Sequence, residues 1–337
     1  MLAFFLANLA WKETMAGNEF DLINHYFKTQ PVSRKDVALG IGDDAAVISV
    51  PENSQLVVTT DSLVAGNHFL ADADPVKVAH KALASNLSDL AAMGAIPAWC
   101  SLALTLPSPD EAWLKGFCEG FYKLAEYYNV QLVGGDTTKG PLSITITMQG
   151  FIPEGKAIRR DGASAGDWLY VSGNLGDSAA GLDVILKGNQ PSNELEETLL
   201  NRHYYSTPRV LAGQALREVA SAALDISDGL VADLKHILKA SGVSAVINAD
   251  TLPLSDELIA FAGSKEKAAH IALCSGEEYE LCFTVPESHR GALDAALAHT
   301  NTPVTCIGQI RHGEGLQVLW EEQPVDWKLS GWDHFSE

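Results

Sequence analysis

The sequence predicts a two-domain protein, an α/β layer domain followed by a second unit of mixed helices and strands. Three observations point there. From about Val37 to Phe151, short apolar or alternating runs suited to strands alternate with longer amphipathic runs suited to helices. Near Gly155 the pattern starts again with its own strand and helix signals. A chain of 337 residues, 47 % of them hydrophobic, is also long enough to fill two cores of ordinary composition.

The elements follow in order. Gln55 to Thr60 reads as a strand. Asp74-Pro75 is a helix start, with Asp as cap and Pro in the first turn, and that helix is expected to run to about Met93 and stop at Gly94. Trp99 to Leu106 is strand-like, and Ser108-Pro109-Asp110-Glu111 has capping-box spacing for a second helix ending near Asn129. Val130 to Val133 is a short strand leading into Gly134-Gly135-Asp136, and Ser143 to Met148 alternates as a half-exposed strand should. Two helices and four or five strands make one α/β layer domain. In the second unit, Trp168 to Val171 is a strand broken by Ser172-Gly173, and Pro208 marks a helix start. Ala222 to Ile226 is a strand ending in Ser227-Asp228-Gly229, and Glu280 to Val285 and Pro303 to Ile307 are later strands. No low-complexity linker and no repeat is visible, so the domains are expected to pack tightly.

Bulk charge excludes some functions. A net charge of -20 argues against general DNA or RNA binding and against adhesion to an anionic membrane. The five cysteines are odd in number, scattered and without a C-x-x-C, which fits reduced thiols in a cytoplasmic protein and not a disulfide frame or a zinc site. The opening MLAFFLANLAW is too short to span a bilayer and lacks a basic start or a clean cleavage site. Residues 1–14 are read as an extension, with Met15 as the natural start.

The chemistry begins with Gly40-Ile41-Gly42-Asp43-Asp44-Ala45-Ala46-Val47. The spacing matches a dinucleotide fingerprint, and Asp61 lies at about the ribose-binding distance. The context argues against it. A fingerprint needs a helix after its glycines, whereas AAVISV is strand-like, and two aspartates would stand where pyrophosphate should go. A bridging cation resolves the conflict, because Mg²⁺ takes hard oxygens from one or two carboxylates plus substrate phosphates. Similar chemistry recurs at Thr59-Thr60-Asp61, Ser88-Asp89, Gly134-Gly135-Asp136 and Asp225-Ile226-Ser227-Asp228-Gly229. A lone aspartate at a strand end is usually a turn former. Five such sites in one chain make that reading harder to keep. Walker A and protein-kinase signatures are absent.

Taken in order, GIGDDAAV, TTDSLVAGNHF, NLSDLAAMGA, VGGDTTKG, LDISDGL, SGEEYELCFTV and SGWDHF, with Gly17-Asn18-Glu19-Phe20 ahead of them, closely resemble the thiamine-monophosphate kinase family. The likeness covers essentially everything from Met15 onward. The wider superfamily includes aminoimidazole-ribonucleotide synthetase, selenophosphate synthetase and a hydrogenase maturation factor. The resemblance implies an N-terminal α/β domain over 15–152, pairing across a two-fold axis into a barrel-like homodimer, and a C-terminal α+β domain over 153–337. It implies transfer of the ATP γ-phosphoryl to thiamine monophosphate, with Mg²⁺ required and K⁺ assisting, at sites between domains and near the dimer interface.

Carried over position by position, the resemblance assigns Mg²⁺ to Asp44, Thr59, Thr60, Asp61, Asp89, Asp136, Asp225 and Asp228. Gly135, Asp136, Arg160 and Ser227 would contact ATP, and His68, Glu277 and Trp332 the thiamine substrate. Asp44, Asp61, Asp89, Asp136 and Arg160 would carry catalysis, with Asp44 and Asp89 expected within metal-bridging reach. An adenine-stacking aromatic is expected in the second helix, where Tyr122, Tyr127 and Tyr128 compete. One departure is visible: Ser275-Gly276-Glu277-Glu278 stands where the family often has Gly-Gly-Glu-Asp, which puts only the local loop geometry in doubt. Two other readings remain at this stage, a sister ATP-dependent enzyme and a non-catalytic sensor of nucleotide or thiamine phosphate. The retained carboxylates argue against the second.

Overall fold

The computed structural model describes residues 19–188 and 191–332. The expected extension over 1–14, Gly17-Asn18 and Asp333-His334-Phe335 lie outside them. The described chain opens with α1 (Glu19–Leu22), which continues in π-type turns as Ile23–Lys28. A two-stranded ribbon follows, β1 (Val37–Leu39) against β2 (Val47–Ile48). The glycine loop therefore leads into a strand and not a helix, which removes the dinucleotide fingerprint.

The N-terminal half is built on a four-stranded sheet of β3 (Ser54–Val64), β6 (Ser143–Pro153), β4 (Ile96–Leu106) and β5 (Gln131–Lys139), in that spatial order. Only β4 and β5 run parallel. Two helices accompany the sheet, α2 (Pro75–Ala92) and α3 (Glu111–Tyr127). The cap signals act as expected. The Asp74 side chain accepts from Val76 N at 2.9 Å, and Gly94 ends the helix region at φ +73. In α3 the cap is Asp110, which accepts from Trp113 N at 3.0 Å, so Ser108 is not the capping residue.

Two strand readings need correction. The strand expected over Gln55–Thr60 extends to Val64, so Thr59-Thr60-Asp61 lies inside β3 and not at its end. Gly134-Gly135-Asp136 likewise lies within β5. The reason is contact with β4: a Cβ on Gly135 would stand 1.9 Å from the Leu102 carbonyl oxygen. The glycine permits this approach and does not break the strand.

The C-terminal half is built on a seven-stranded, largely antiparallel sheet. Its strands are β7 (Trp168–Ser172), β8 (Ala222–Asp225), β9 (Ser244–Asn248), β10 (Leu281–Val285), β11 (Val304–Arg311), β12 (Leu316–Trp320) and β13 (Gln323–Pro324). Of these, β9, β12 and β13 carry no expectation from the sequence. The helices that matter for the site are α4 (Asp177–Leu186), α5 (Glu194–Tyr204), α6 (Val210–Leu216) and α7 (Leu230–Ser241). Pro208 precedes α6, whose cap position is Arg209.

The halves share a core. Leu83, Leu102 and Ile146 of the first belong to the same buried cluster as Tyr170, Leu216, Leu281 and Phe283 of the second. Gly213 of α6 lies so close to α2 that a Cβ there would stand 1.9 Å from the Ala91 carbonyl oxygen. Each fully buried leucine in this cluster removes enough apolar surface to contribute about 1.5–3 kcal/mol. All five cysteines are unpaired. No helix among the described residues is long and apolar enough to cross a membrane.

Candidate active site

A cleft of about 440 Å³ opens between the two halves. Asp61, His68, Asp89, Asp225, Ser227, Asp228, Glu277 and Trp332 all line it. Strand and helix periodicity bring the first of these together. Thr59 and Asp61 project from one face of β3, and the Thr59 hydroxyl bonds to Asp89 of α2. Lys81, Ser85 and Asp89 recur every four residues and so share one face of that helix. Thr60 points to the opposite, exposed face of β3, where its hydroxyl meets Thr147 at 2.9 Å. The two threonine hydroxyls therefore do not act as a pair.

The carboxylates oppose one another. Burial pushes Asp61 up to about 6, with the Asp89 charge adding to the effect and a hydrogen bond from Ser85 limiting it. Burial raises Asp89 too, partly offset by the Thr59 hydroxyl and the positive charge of Arg160. Asp225, 5 % exposed at the end of β8, is raised furthest, by burial first and by Asp89 next. Arg160 itself is exposed and does not line the cleft. A bound cation would relieve such a concentration of buried acidic groups.

Two loops complete the wall. In the turn after β8, the Asp233 carboxylate accepts from the backbone N–H groups of Ser227, Asp228 and Gly229 at 3.0, 2.9 and 3.0 Å. Opposite, Glu277 and Tyr279 take left-handed φ values of 59 and 53, which non-glycine residues adopt only when held. The hold is visible: Glu277 N donates to Ser227 O at 2.7 Å, and Tyr279 N to Ile226 O at 2.9 Å. The positions that depart from the family pattern touch each other, since Ser275 Oγ donates to Glu278 Oε1 at 2.7 Å. Gly176 N donates to the same oxygen at 2.9 Å, and burial pushes Glu278 up to about 8.

The side chains expected to meet the thiamine substrate converge at one end. His68 Nδ1 accepts from Val64 N at 3.0 Å, which places its ring proton on Nε2. Burial alone would raise Glu277, but the Lys81 ammonium at 2.7 Å, with His203 and His68 nearby, holds its carboxyl below the usual range. Lys81 and His203 carry no functional signal in the sequence. A lysine in the apolar run HKALASNL and an isolated histidine look like solvated side chains until the fold buries them.

Asp44, Gly135 and Asp136 lie elsewhere. They line a second cleft of about 580 Å³ with Lys28 and the glycine loop. Asp44 and Asp89, expected close together, thus face different clefts of one chain. The sheet order explains it. Asp89 sits beside β3 and Asp44 beside β5, at opposite edges, and three strand spacings make roughly 14 Å. None of Tyr122, Tyr127 and Tyr128 lines either cleft. The first and last donate to the carbonyls of Tyr26 and Pro208, and Tyr127 is 77 % exposed. The aromatic in the second cleft is Phe27.

Comparisons with known proteins agree with this architecture. Residues 42–152 match the family model for the N-terminal domain of AIR synthase related proteins, and residues 164–321 that for the C-terminal domain. The thiamine-monophosphate kinase of Salmonella typhimurium is 53 % identical over 324 residues, covering 96 % of this chain and 99 % of its own. The chain belongs to the thiamine-monophosphate kinase family. A more distant member, from Bacillus subtilis, is 36 % identical over 94 % of this chain and 99 % of its own. The crystal structure of the kinase from Stenotrophomonas maltophilia is 45 % identical, with a TM-score of 0.81 over 87 % of this chain and 93 % of that one. AaThiL complexed with AMPPCP and TMP is 35 % identical, with a TM-score of 0.74 over 96 % and 99 %. The family's two-domain fold, mixed in α and β, is the fold seen here.

Proposed function

We propose that this protein transfers the γ-phosphoryl group of ATP to thiamine monophosphate, giving thiamine diphosphate and ADP. The observation that carries the reading is the first cleft, where an acidic cluster and three substrate-type side chains share one cavity between the halves. Its apolar wall, which includes Leu63, Phe69 and Leu182, suits a pair of heteroaromatic rings. The naming of relatives at 53 % identity supports the choice of substrate, as does the binding of AMPPCP and TMP by AaThiL.

In the proposed reaction, an oxygen of the substrate phosphate attacks the γ-phosphorus in line. The new O–P bond forms as the bond to the β-phosphate oxygen breaks, and ADP leaves. A phosphomonoester has its second pKa near about 6, so the nucleophile is already largely ionised and no strong base is needed. The demand on the chain is to align two anions that repel each other. Asp61, Asp89 and Asp225 would hold Mg²⁺, with Thr59 and Asp228 at the margin. Their fit rests on hard oxygen donors whose raised pKa values a cation would relieve. Among the described residues no trio of histidine, cysteine, aspartate or glutamate is placed to hold a metal alone, and an Mg²⁺ held here would have to take part of its shell from phosphate and water. Bound Mg²⁺ would neutralise charge on the phosphates. Ser227 would donate to the nucleotide, Arg160 would clamp a phosphate oxygen, and His68 Nε2–H would donate to the substrate phosphate. Trp332 would lie against the thiamine rings.

The same reading places Gly135 and Asp136 with Asp44 at the nucleotide, in a cytoplasmic homodimer whose division falls between residues 152 and 153. The outward face of β3 supports the dimer. Leu56 and Val58 are 47 % and 55 % exposed on an edge strand, and an uncovered apolar edge needs a partner. A second copy seated there would also offer a route by which the two clefts act together.

The test is an ATP-dependent assay on thiamine monophosphate, with product identified by mass, thiamine as the control, and arms lacking Mg²⁺ or K⁺. Formation of thiamine diphosphate only from the monophosphate is expected. No product from either acceptor would overturn the reading.

A further inference from the structure

Lys81 is 0 % exposed, in the middle of α2, and its ammonium has three protons to place. All three have acceptors. Nζ lies 2.7 Å from Glu277 Oε1, 3.2 Å from the His68 carbonyl oxygen and 3.1 Å from His203 Nε2. The last contact fixes a tautomer. An ammonium can only donate, so His203 Nε2 accepts, and Nδ1 carries the ring proton toward Ser178 O at 3.1 Å. The histidine is neutral, with burial and the Lys81 charge pushing it down to about 4.

We propose that Lys81 is a positioning residue that fixes Glu277 and the His68 loop as a single substrate-facing wall, with neutral His203 as its third anchor. The proposal rests on the reading that this cleft takes thiamine monophosphate. Lys81 has no proton left for a ligand, so it acts through its neighbours and not on the phosphates. Its two functional partners come from separate parts of the chain, the loop after β3 and the left-handed turn before β10. The Glu277 carboxylate lies 2.7 Å from a buried ammonium, which favours its ionised form against the burial that opposes it. It can then accept from an amino group or face a cationic ring of the substrate.

The experiment compares wild type, Lys81→Met, Glu277→Gln and the double variant, reading KM for thiamine monophosphate, KM for ATP and the melting temperature. Lys81→Met is expected to raise KM for thiamine monophosphate at least tenfold while KM for ATP changes less than twofold. Removing one member of a buried pair can unfold a protein, and removing both charges is far better tolerated. The double variant is therefore the safeguard: its KM for thiamine monophosphate should lie within threefold of that of Glu277→Gln alone. Three results would overturn the proposal: an unchanged KM in Lys81→Met, an equal rise in both KM values, or independent, multiplying effects in the double variant. A wild-type chain that neither binds nor phosphorylates thiamine monophosphate would remove the functional reading, and this proposal with it. A wild-type chain that does both, beside Lys81→Met with unchanged KM, would remove the proposal alone.

Discussion

Replacing Asp61 by asparagine should stabilise the ligand-free protein while destroying its activity. Burial and the neighbouring Asp89 push Asp61 up to about 6, against an ordinary value of 3.8. Each unit corresponds to about 1.4 kcal/mol, so the ionised side chain costs the fold about 3 kcal/mol. The sign follows from proton uptake. Between about pH 4 and 6 the folded state holds a proton that the unfolded state has lost, so stability falls as pH rises through that window. Above it the full cost persists. Asparagine keeps the size and removes the charge, so the variant should melt several degrees above wild type at pH 7.5, since about 1 kcal/mol moves a 150–250-residue domain by about 2–4 °C. Near pH 3 the difference should vanish, because both states of the wild type are then largely protonated. Adding Mg²⁺ and a non-hydrolysable ATP analogue should close most of that gap. At a hundredfold excess over Kd a ligand adds about 2.7 kcal/mol, and the variant should lose most of that gain and more than tenfold in turnover. Scanning calorimetry at the two pH values decides the matter. A variant that melts below wild type at pH 7.5, or a difference that survives at pH 3, would refute the electrostatic account of the cluster.

Other outcomes follow from other parts of the molecule. Asp44→Asn and Asp89→Asn should each fold normally and lose most phosphoryl transfer; wild-type turnover in both would mean that Gly40–Val47 is only a turn. Light scattering at micromolar concentration should give about twice the 36.1 kDa chain mass, and Val58→Lys should shift it toward one; a fully active monomeric wild type would contradict the dimer. Gly135→Ala drives a methyl group into the Leu102 carbonyl and should cost roughly 1–3 kcal/mol in urea denaturation, with an unchanged midpoint as the contrary result. Ser275→Ala removes the hydroxyl from Glu278 and should cost about 1 kcal/mol with turnover kept within a few-fold; a large loss of activity would assign the hydroxyl a direct role.

The parts of the fold that could be read from sequence are those controlled locally. Asp74-Pro75 and Gly94 bracket α2 because capping and left-handed termination are decided within a turn of the chain. Gly134-Gly135 misled because its purpose is set by Leu102, more than thirty positions away in sequence and against it in space. Ser244–Asn248 and Leu316–Trp320 are brief strands whose pairing depends on one another, and nothing in either run alone declares it. At the site, carboxylates beside glycine, serine or threonine could be found by their repeated pattern. Lys81 and His203 could not, since a single charged residue in an apolar helix acquires meaning only when the opposite loop supplies its carboxylate. The allocation of Asp44 and Asp89 to separate clefts was equally hidden, because it depends on strand order and not on spacing along the chain.

The shared hydrophobic cluster restricts how the enzyme can admit its substrates. Tyr170, Leu281 and Phe283 are embedded with Leu102 and Ile146, and α6 lies against α2 at the distance only glycine allows. Two bodies fused through their interiors have no hinge about which to swing. Gating then falls to the rim, to segments such as 65–69, 226–229 and 276–279, each already tied down by backbone hydrogen bonds. The molecule should keep the same outline, and the same small-angle scattering curve, whether empty or full. Its catalytic cycle would proceed through rearrangements of a few ångströms within a rigid frame, unlike the clamshell closure common among phosphotransferases.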